Sequence, residues 1–315
     1  MLCCTISFAQ QTPADKQIGA ITLTGATVHV GDGTVIEQGV VIFENGKILT
    51  VGTSSSVTSK GTIIDASGKH IYPGFIGANT NLGLVEVDAV NASNDQAEMG
   101  SMIPHVRSLI AYNAESKVIE SMRPNGILTA QVSPNGGRFS GTSSIMQLDA
   151  WNWQDAVIKV DDGVHLNWPS SFSRGRWWLG EPRGLKPNNN YAKQVGEIEV
   201  FVKESKAYLK GKRTTKNLPY EAMAGLFNAT QKLYVHVDDE KGITDAVNFA
   251  VENGMSMIVV GGYQAHAVTG LLKSNNVPVL IDHTQSLPKT NDADYDLPYK
   301  NPKLLADAGV LVGIH

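Results

Sequence analysis

The sequence predicts an α/β protein: a (β/α)8-type barrel, incomplete at its end, carrying a small N-terminal β appendage. Three observations carry this. From Lys232 onward, strand-like and helix-like segments alternate, the pattern of βαβ units on a parallel sheet. Before Pro73 there are only short strands and turns, with no helical period. The chain has 315 residues, 42% of them hydrophobic and 18% charged, which suits a globular protein able to bury a large core.

Taken in order, residues 1–10 read as the remnant of a signal peptide. Met1 to Ala9 is short and apolar, and Ser7-Phe8-Ala9 has the small-x-small form of a cleavage site. The two cysteines, Cys3 and Cys4, both fall there, so the body has no thiol chemistry. Both features point to an exported protein, periplasmic or extracellular. Residues 20–72 read as a β-sandwich, with Asn45-Gly46 a hairpin turn between Gly39–Glu44 and Lys47–Val51. Residues 73–315 read as the barrel. Its strands begin at Phe75-Ile76, Gly126, Val164, Lys232, Met255 and Val277, and its helices include Glu197–Lys210, Lys241–Glu252 and Ala265–Ser274. The stretch 133–190, rich in Gly, Pro, Asn and Trp, reads as long irregular loops over one barrel mouth. A short helix at Asn301–Ala308 leads to a final buried strand at Gly309–His315, so the chain reads as a fragment.

Net charge is −4, which gives no basic face for nucleic acid. Nor does any apolar run reach the length of a membrane span.

The segment Asp65-Ala66-Ser67-Gly68-Lys69-His70-Ile71-Tyr72-Pro73-Gly74-Phe75-Ile76-Gly77-Ala78-Asn79-Thr80-Asn81 resembles the strand-one entry of the amidohydrolase superfamily, particularly its imidazolonepropionase-like branch. There a β-sandwich leads into a Pro-Gly-(Leu/Phe)-Ile-Asp-x-His-x-His motif. Leu233-Tyr234-Val235-His236, followed by a helix and Met255–Ile258, is similar to the strand-five histidine, helix and strand six of that family. The resemblance implies a metal-dependent hydrolase barrel cleaving amide-like C–N bonds. It also implies histidine ligands on strands one, five and six, a lysine or glutamate on strand four and an aspartate on strand eight. The metal, commonly zinc, lowers the pKa of bound water and the aspartate takes its proton.

The sequence departs from that ligand set. Asn79 and Asn81 stand at the His-x-His positions, and a neutral amide oxygen is a poor zinc ligand beside imidazole. Val260 stands at the strand-six histidine, and His236 alone stays in register. His236 is therefore the main candidate, as a lone metal ligand or as a base. Asp282 and His283, after the strand Val277–Ile281, are further catalytic candidates, and His315 has a similar place after the last strand. Asn79 and Asn81 alternate on a strand and are expected to face one side, where they would orient substrate. Arg138, in the glycine-rich run Pro134–Ser144, is a substrate-binding candidate for an anionic group; a tight turn is the structural alternative. Asp238 and Asp239 read as a charge pair at a helix N-terminus. The five tryptophans all fall between Trp151 and Trp178, near Arg174, Arg176 and Arg183, and read as a local core or an aromatic binding wall.

The expected function is hydrolysis of an amide or cyclic-amide bond in a small molecule or short peptide. Water would be activated by one divalent metal, zinc by preference, or by a side-chain base. The alternative is a metal-free binding or scaffold protein on the same barrel. Homo-oligomers are common for such barrels.

Overall fold

The computed structural model describes residues 12–175, 177–180, 184–212, 215–289 and 293–315. The apolar run Met1–Ala9, Arg176 and Arg183 lie outside them. The chain forms two compact units. One comprises the residues up to Phe75 together with Gly126–Leu128, and the other comprises Ile76–Asn125 and Thr129–His315.

The first unit is built on a five-stranded sheet. Its strands are β1 (Ile21–His29), β2 (Val35–Glu44), β3 (Lys47–Thr53), β4 (Thr62–Asp65) and β5 (His70–Ile71). The order is β3-β2-β1-β4, with β5 also pairing β1. Asn45 and Gly46 both have positive φ, 53° and 71°, as a two-residue hairpin turn of this twist requires. Ala26, Val28, Val40, Val41 and Ile42 are buried, whereas every residue of β4 is exposed. Among the described residues this unit shows one sheet, without a second layer of strands.

The second unit holds most of an eight-stranded sheet. Its strands are β6 (Phe75–Thr80), β7 (Ile127–Val132), β8 (Phe139–Gln147) and β9 (Val157–Asn167). A short hairpin of β10 (Phe172–Arg174) and β11 (Leu185–Pro187) follows, and then β12 (Lys232–Val237), β13 (Met257–Gly261), β14 (Val279–Ile281) and β15 (Val312–Ile314). The order is β15-β14-β13-β12-β9-β8-β7-β6. From β9 to β15 all neighbours are parallel, and β8 runs antiparallel to both β7 and β9. This is a barrel-type sheet with one reversed strand, where an all-parallel barrel was expected.

The stretch 133–190 differs most from its sequence reading, because it supplies all of β8 and β9 to the sheet, where only the segment from Val164 was expected as strand. Phe139-Ser140-Gly141-Thr142-Ser143-Ser144 is buried throughout, yet five of its six side chains are small or polar. Such a strand leaves no apolar alternation to read. The tryptophans read as a local core or an aromatic wall do not share one environment. Trp168 is buried and donates from Nε1 to the Tyr191 hydroxyl at 3.0 Å, while Trp151 and Trp178 are exposed.

The core lies between the sheet and the helices Tyr191–Lys210 and Glu240–Asn253. Leu233, Val235 and Val237 of β12 and Val164 and Leu166 of β9 enter it, with Ile198, Phe201, Val202, Ile243, Ala246 and Val247 from the helices. Asp239 caps the second helix by accepting from Gly242 N at 2.9 Å, and Gly254 ends it in the left-handed conformation. The last helix spans Leu297–Asp307, starting earlier than expected because Pro298 occupies its first turn and Pro302 is accommodated inside.

Candidate active site

Strand alternation places the site. Leu233, Val235 and Val237 turn outward to the helices, so Tyr234 and His236 turn to the other face of the sheet. On the neighbouring β9, Val164 and Leu166 go outward and His165 goes inward. The inward set is polar. His165 and His236 meet there, Nδ1 to Nε2 at 3.0 Å. The His165 ring lies flat on the Tyr234 ring, with centroids 4.8 Å apart and planes 5° apart.

Behind this stack runs a buried polar column. The Tyr234 hydroxyl donates to Asp162 Oδ2 at 2.7 Å, and Gln131 Nε2 donates to the same oxygen at 3.1 Å. Lys159 pairs with Asp162 Oδ1 at 2.6 Å. Gln131 Oε1 accepts the backbone N–H of Asn79 at 3.0 Å. Gln131, Asp162 and Tyr234 are buried and satisfy one another where an unpaired polar group is costly, while Lys159 reaches Asp162 from the exposed side.

Above the imidazole pair, at the C-terminal ends of the parallel strands, opens a cavity of ≈ 270 Å³. His236, Asp238, Asp282, His315, Asn79 and Trp168 line it. This is the end of the sheet where barrels of this type carry chemistry. Burial, reinforced by the neighbouring His315, pushes the His236 imidazole down to about 4, against the pull of Asp238 and Asp282. Burial and the neighbouring His236 push His165 well below the ordinary histidine range. His315 is also lowered by burial. All three imidazoles are neutral at neutral pH. The carboxylates come from the loops after the strands: Asp238 pairs with Lys289 Nζ at 2.5 Å, and Asp282 pairs with His283 Nδ1.

Of the residues expected to act together, His236, Asp282 and Asn79 share this cavity. His283 lines an adjoining cavity of ≈ 180 Å³ beside Asp282, Tyr263 and Lys289. Asn79 and Asn81 do not share a face. Asn79 has φ of 49°, which breaks the period-two alternation, and Asn81 points to Gln96 Oε1 at 3.4 Å. Arg138 is not among the residues lining the cavity; its guanidinium donates to the Asn167 carbonyl at 2.7 Å and helps hold the end of β9. The glycine-rich run works as a turn into β8, with the Asn167 amide donating to the Gly137 carbonyl at 2.9 Å. His165 was not legible as a site residue. The available signal was a histidine inside the apolar run Val164–Trp168, which must find a buried partner.

The donor set does not fit the metal centre that the family resemblance implies. Two imidazole nitrogens bound to one tetrahedral zinc sit roughly 3.3 Å apart, close to the observed pair, so that distance alone does not decide. The remaining ligands decide. Among the described residues no group of three or more His, Cys, Asp or Glu side chains is placed to hold an ion. Asn79 and Val260, which stand where the sequence resemblance implies imidazoles, line the cavity instead.

No protein-family model and no curated protein matches the chain. Solved structures do. An amidohydrolase from Thermotoga maritima MSB8 aligns over 93% of this chain and 78% of its own, with a TM-score of 0.79 and 20% identity. This chain shares the fold of that amidohydrolase. A prolidase complexed with N-methylphosphonate-L-proline aligns over 94% of this chain and 78% of its own at 14% identity, with a TM-score of 0.48. The Aspergillus niger ochratoxinase aligns over 94% and 75% at 13% identity, with a TM-score of 0.48. The fold assignment rests on the Thermotoga structure. No helix of the described residues is long and apolar enough to cross a membrane.

Proposed function

We propose that the protein is an amidohydrolase-type hydrolase acting on an amide or cyclic-amide C–N bond of a small molecule or short peptide, with side chains in place of a metal centre. The supporting observation is the cavity at the strand ends, which a neutral, half-buried imidazole, His236, lines together with the carboxylate-bearing residues Asp238 and Asp282. In this reading Asp282 takes a proton from water as its oxygen adds to the substrate carbonyl carbon. His236, neutral, hydrogen-bonds the carbonyl oxygen as charge develops on it. Asp282 then returns the proton to the nitrogen as the C–N bond breaks, releasing a carboxylic acid and an amine. Asn79 and Trp168 shape the wall that orients the substrate. The chain would work as an exported protein, and a homo-oligomer is compatible with this fold.

The test is a screen of N-acyl amino acids, dipeptides and cyclic amides, with released amine as the readout. Turnover that falls by about 100-fold or more in His236→Gln and in Asp282→Asn, with the fold retained, supports the proposal. Turnover unchanged in both variants removes their assigned roles. A specific observation favours a second reading, a binding protein on a hydrolase barrel: Asn79 and Val260 stand where the family has imidazole ligands. Saturable binding of a screened compound in the cavity, lost in Trp168→Ala and never accompanied by hydrolysis, would establish it.

A further inference from the structure

The buried imidazole pair leaves one nitrogen unaccounted for. His165 is fully enclosed, and its Nε2 has no partner among the described residues. Its Nδ1 meets His236 Nε2 at 3.0 Å. One of these two nitrogens must carry the proton of the hydrogen bond, and the other must offer a lone pair. If His165 were protonated at Nε2, an N–H would be buried with nothing to accept it, and orphaned buried donors are rarer than orphaned acceptors. The proton therefore sits on Nδ1 of His165, which donates to Nε2 of His236. A neutral His236 then carries its own proton on Nδ1. That nitrogen has no protein partner among the described residues and does not count among the buried unpartnered atoms, and the ring lines the cavity.

We infer that His165 is a positioning residue for His236: it commits His236 Nε2 to an internal hydrogen bond, fixes His236 as the Nδ1–H tautomer, and so removes from metal ligation the one imidazole that stays in family register. The column of Tyr234, Asp162, Gln131 and Lys159 holds the His165 ring in place by stacking and hydrogen bonding. The site then presents a neutral N–H donor to whatever occupies the cavity. The ligand class that fits is a molecule with an acceptor oxygen, such as an amide carbonyl or a carboxylate, rather than a divalent cation. This inference stands whether or not the protein hydrolyses amides, so absence of turnover in the substrate screen leaves it intact.

Two measurements on the full chain test it. The first is the 15N imidazole spectrum of histidine-labelled protein at neutral pH. The expected result is the Nδ1–H pattern for both His165 and His236. In His165→Gln the amide N–H still donates to His236 Nε2, so the His236 pattern is retained. In His165→Leu the donor is gone and His236 shifts toward the Nε2–H tautomer. A purely space-filling His165 would leave the His236 tautomer unmoved in both variants. The second is a zinc titration against a chromophoric chelator. The expected result is no stoichiometric uptake by the wild-type protein. Uptake of one zinc per chain that is lost in both His165→Gln and His236→Gln overturns the inference, because the pair would then be chelating an ion. An Nε2–H tautomer of His236 in the wild-type protein overturns it as well. Should the leucine variant not fold, the wild-type spectrum and the zinc titration decide.

Discussion

His236 is a half-buried residue of the cavity wall where its charged form is poorly solvated, and this has a consequence for stability as well as chemistry. Its folded-state value is about 4, against an ordinary histidine value near 6.5 in the unfolded chain. Between those two values the unfolded chain binds the extra proton and the folded chain does not. Stability therefore rises with pH through that window, is fully present above it, and is lost as pH falls through about 4. A shift of this size corresponds to about 3 kcal/mol at most. His165 and His315 act with the same sign. Denaturant midpoints measured from acid to neutral pH should fall steeply toward acid in the wild-type protein, and less steeply in His236→Gln. Identical slopes would show that His236 is not the half-buried neutral group described above. At the same scale, Tyr234→Phe removes the hydroxyl that Asp162 accepts. Leaving that carboxylate short of a donor should cost about 1–3 kcal/mol, read as a lower denaturant midpoint at unchanged secondary structure.

The pairing of β9 with β12 sets the spacing of the imidazole pair, and one glycine controls it. Gly163 lies opposite Lys232 in the ladder. A Cβ there would come within 2.4 Å of the Tyr234 ring and 2.6 Å of the Lys232 carbonyl. The carbonyl belongs to the sheet and cannot swing away, so Gly163→Ala must push β9 from β12 and tilt Tyr234 off His165. The expected cost is about 1–3 kcal/mol, together with a disturbed His236 imidazole signal; a variant of wild-type stability would mean the strands yield more easily than their registration suggests. The same strands show what the sequence could and could not tell. β12 and β13 announce themselves as short apolar runs, and the helix between them announces its cap and its glycine stop, so the place of His236 at a strand end is legible in the sequence alone. β8 was invisible because Gly141, Thr142, Ser143 and Ser144 are buried without being apolar. With β8 read as loop, the column behind His165 had no scaffold in which to be seen. The expectation that Asn79 and Asn81 share a face failed for a local reason, the positive φ at Asn79, which alternation rules do not carry.

At the scale of the molecule, the two units are unequally buried. The second unit has one continuous apolar cluster that joins β9, β12, β13 and β14 to the long helices. In the first unit the buried apolar side chains are small or β-branched ones such as Ala26, Val28, Val40 and Ile42, while Ile48, Leu49, Ile63 and Ile64 are exposed. Apolar burial stabilises by about 25 cal/mol per Å², so sheet hydrogen bonds in β3 and β4 have far less behind them than those in β12 and β13. Local opening free energies should follow that difference. Hydrogen exchange followed by mass spectrometry is expected to show β3 and β4 exchanging early, β12 and β13 last, and the ligand cavity resting on the slowest part of the protein. Equal protection of β4 and β12 would mean that the exposed isoleucines of the first unit are covered in solution. In that event the first unit draws its stability from a surface contact, and the concentration dependence of the exchange would show whether a second copy of the chain supplies it.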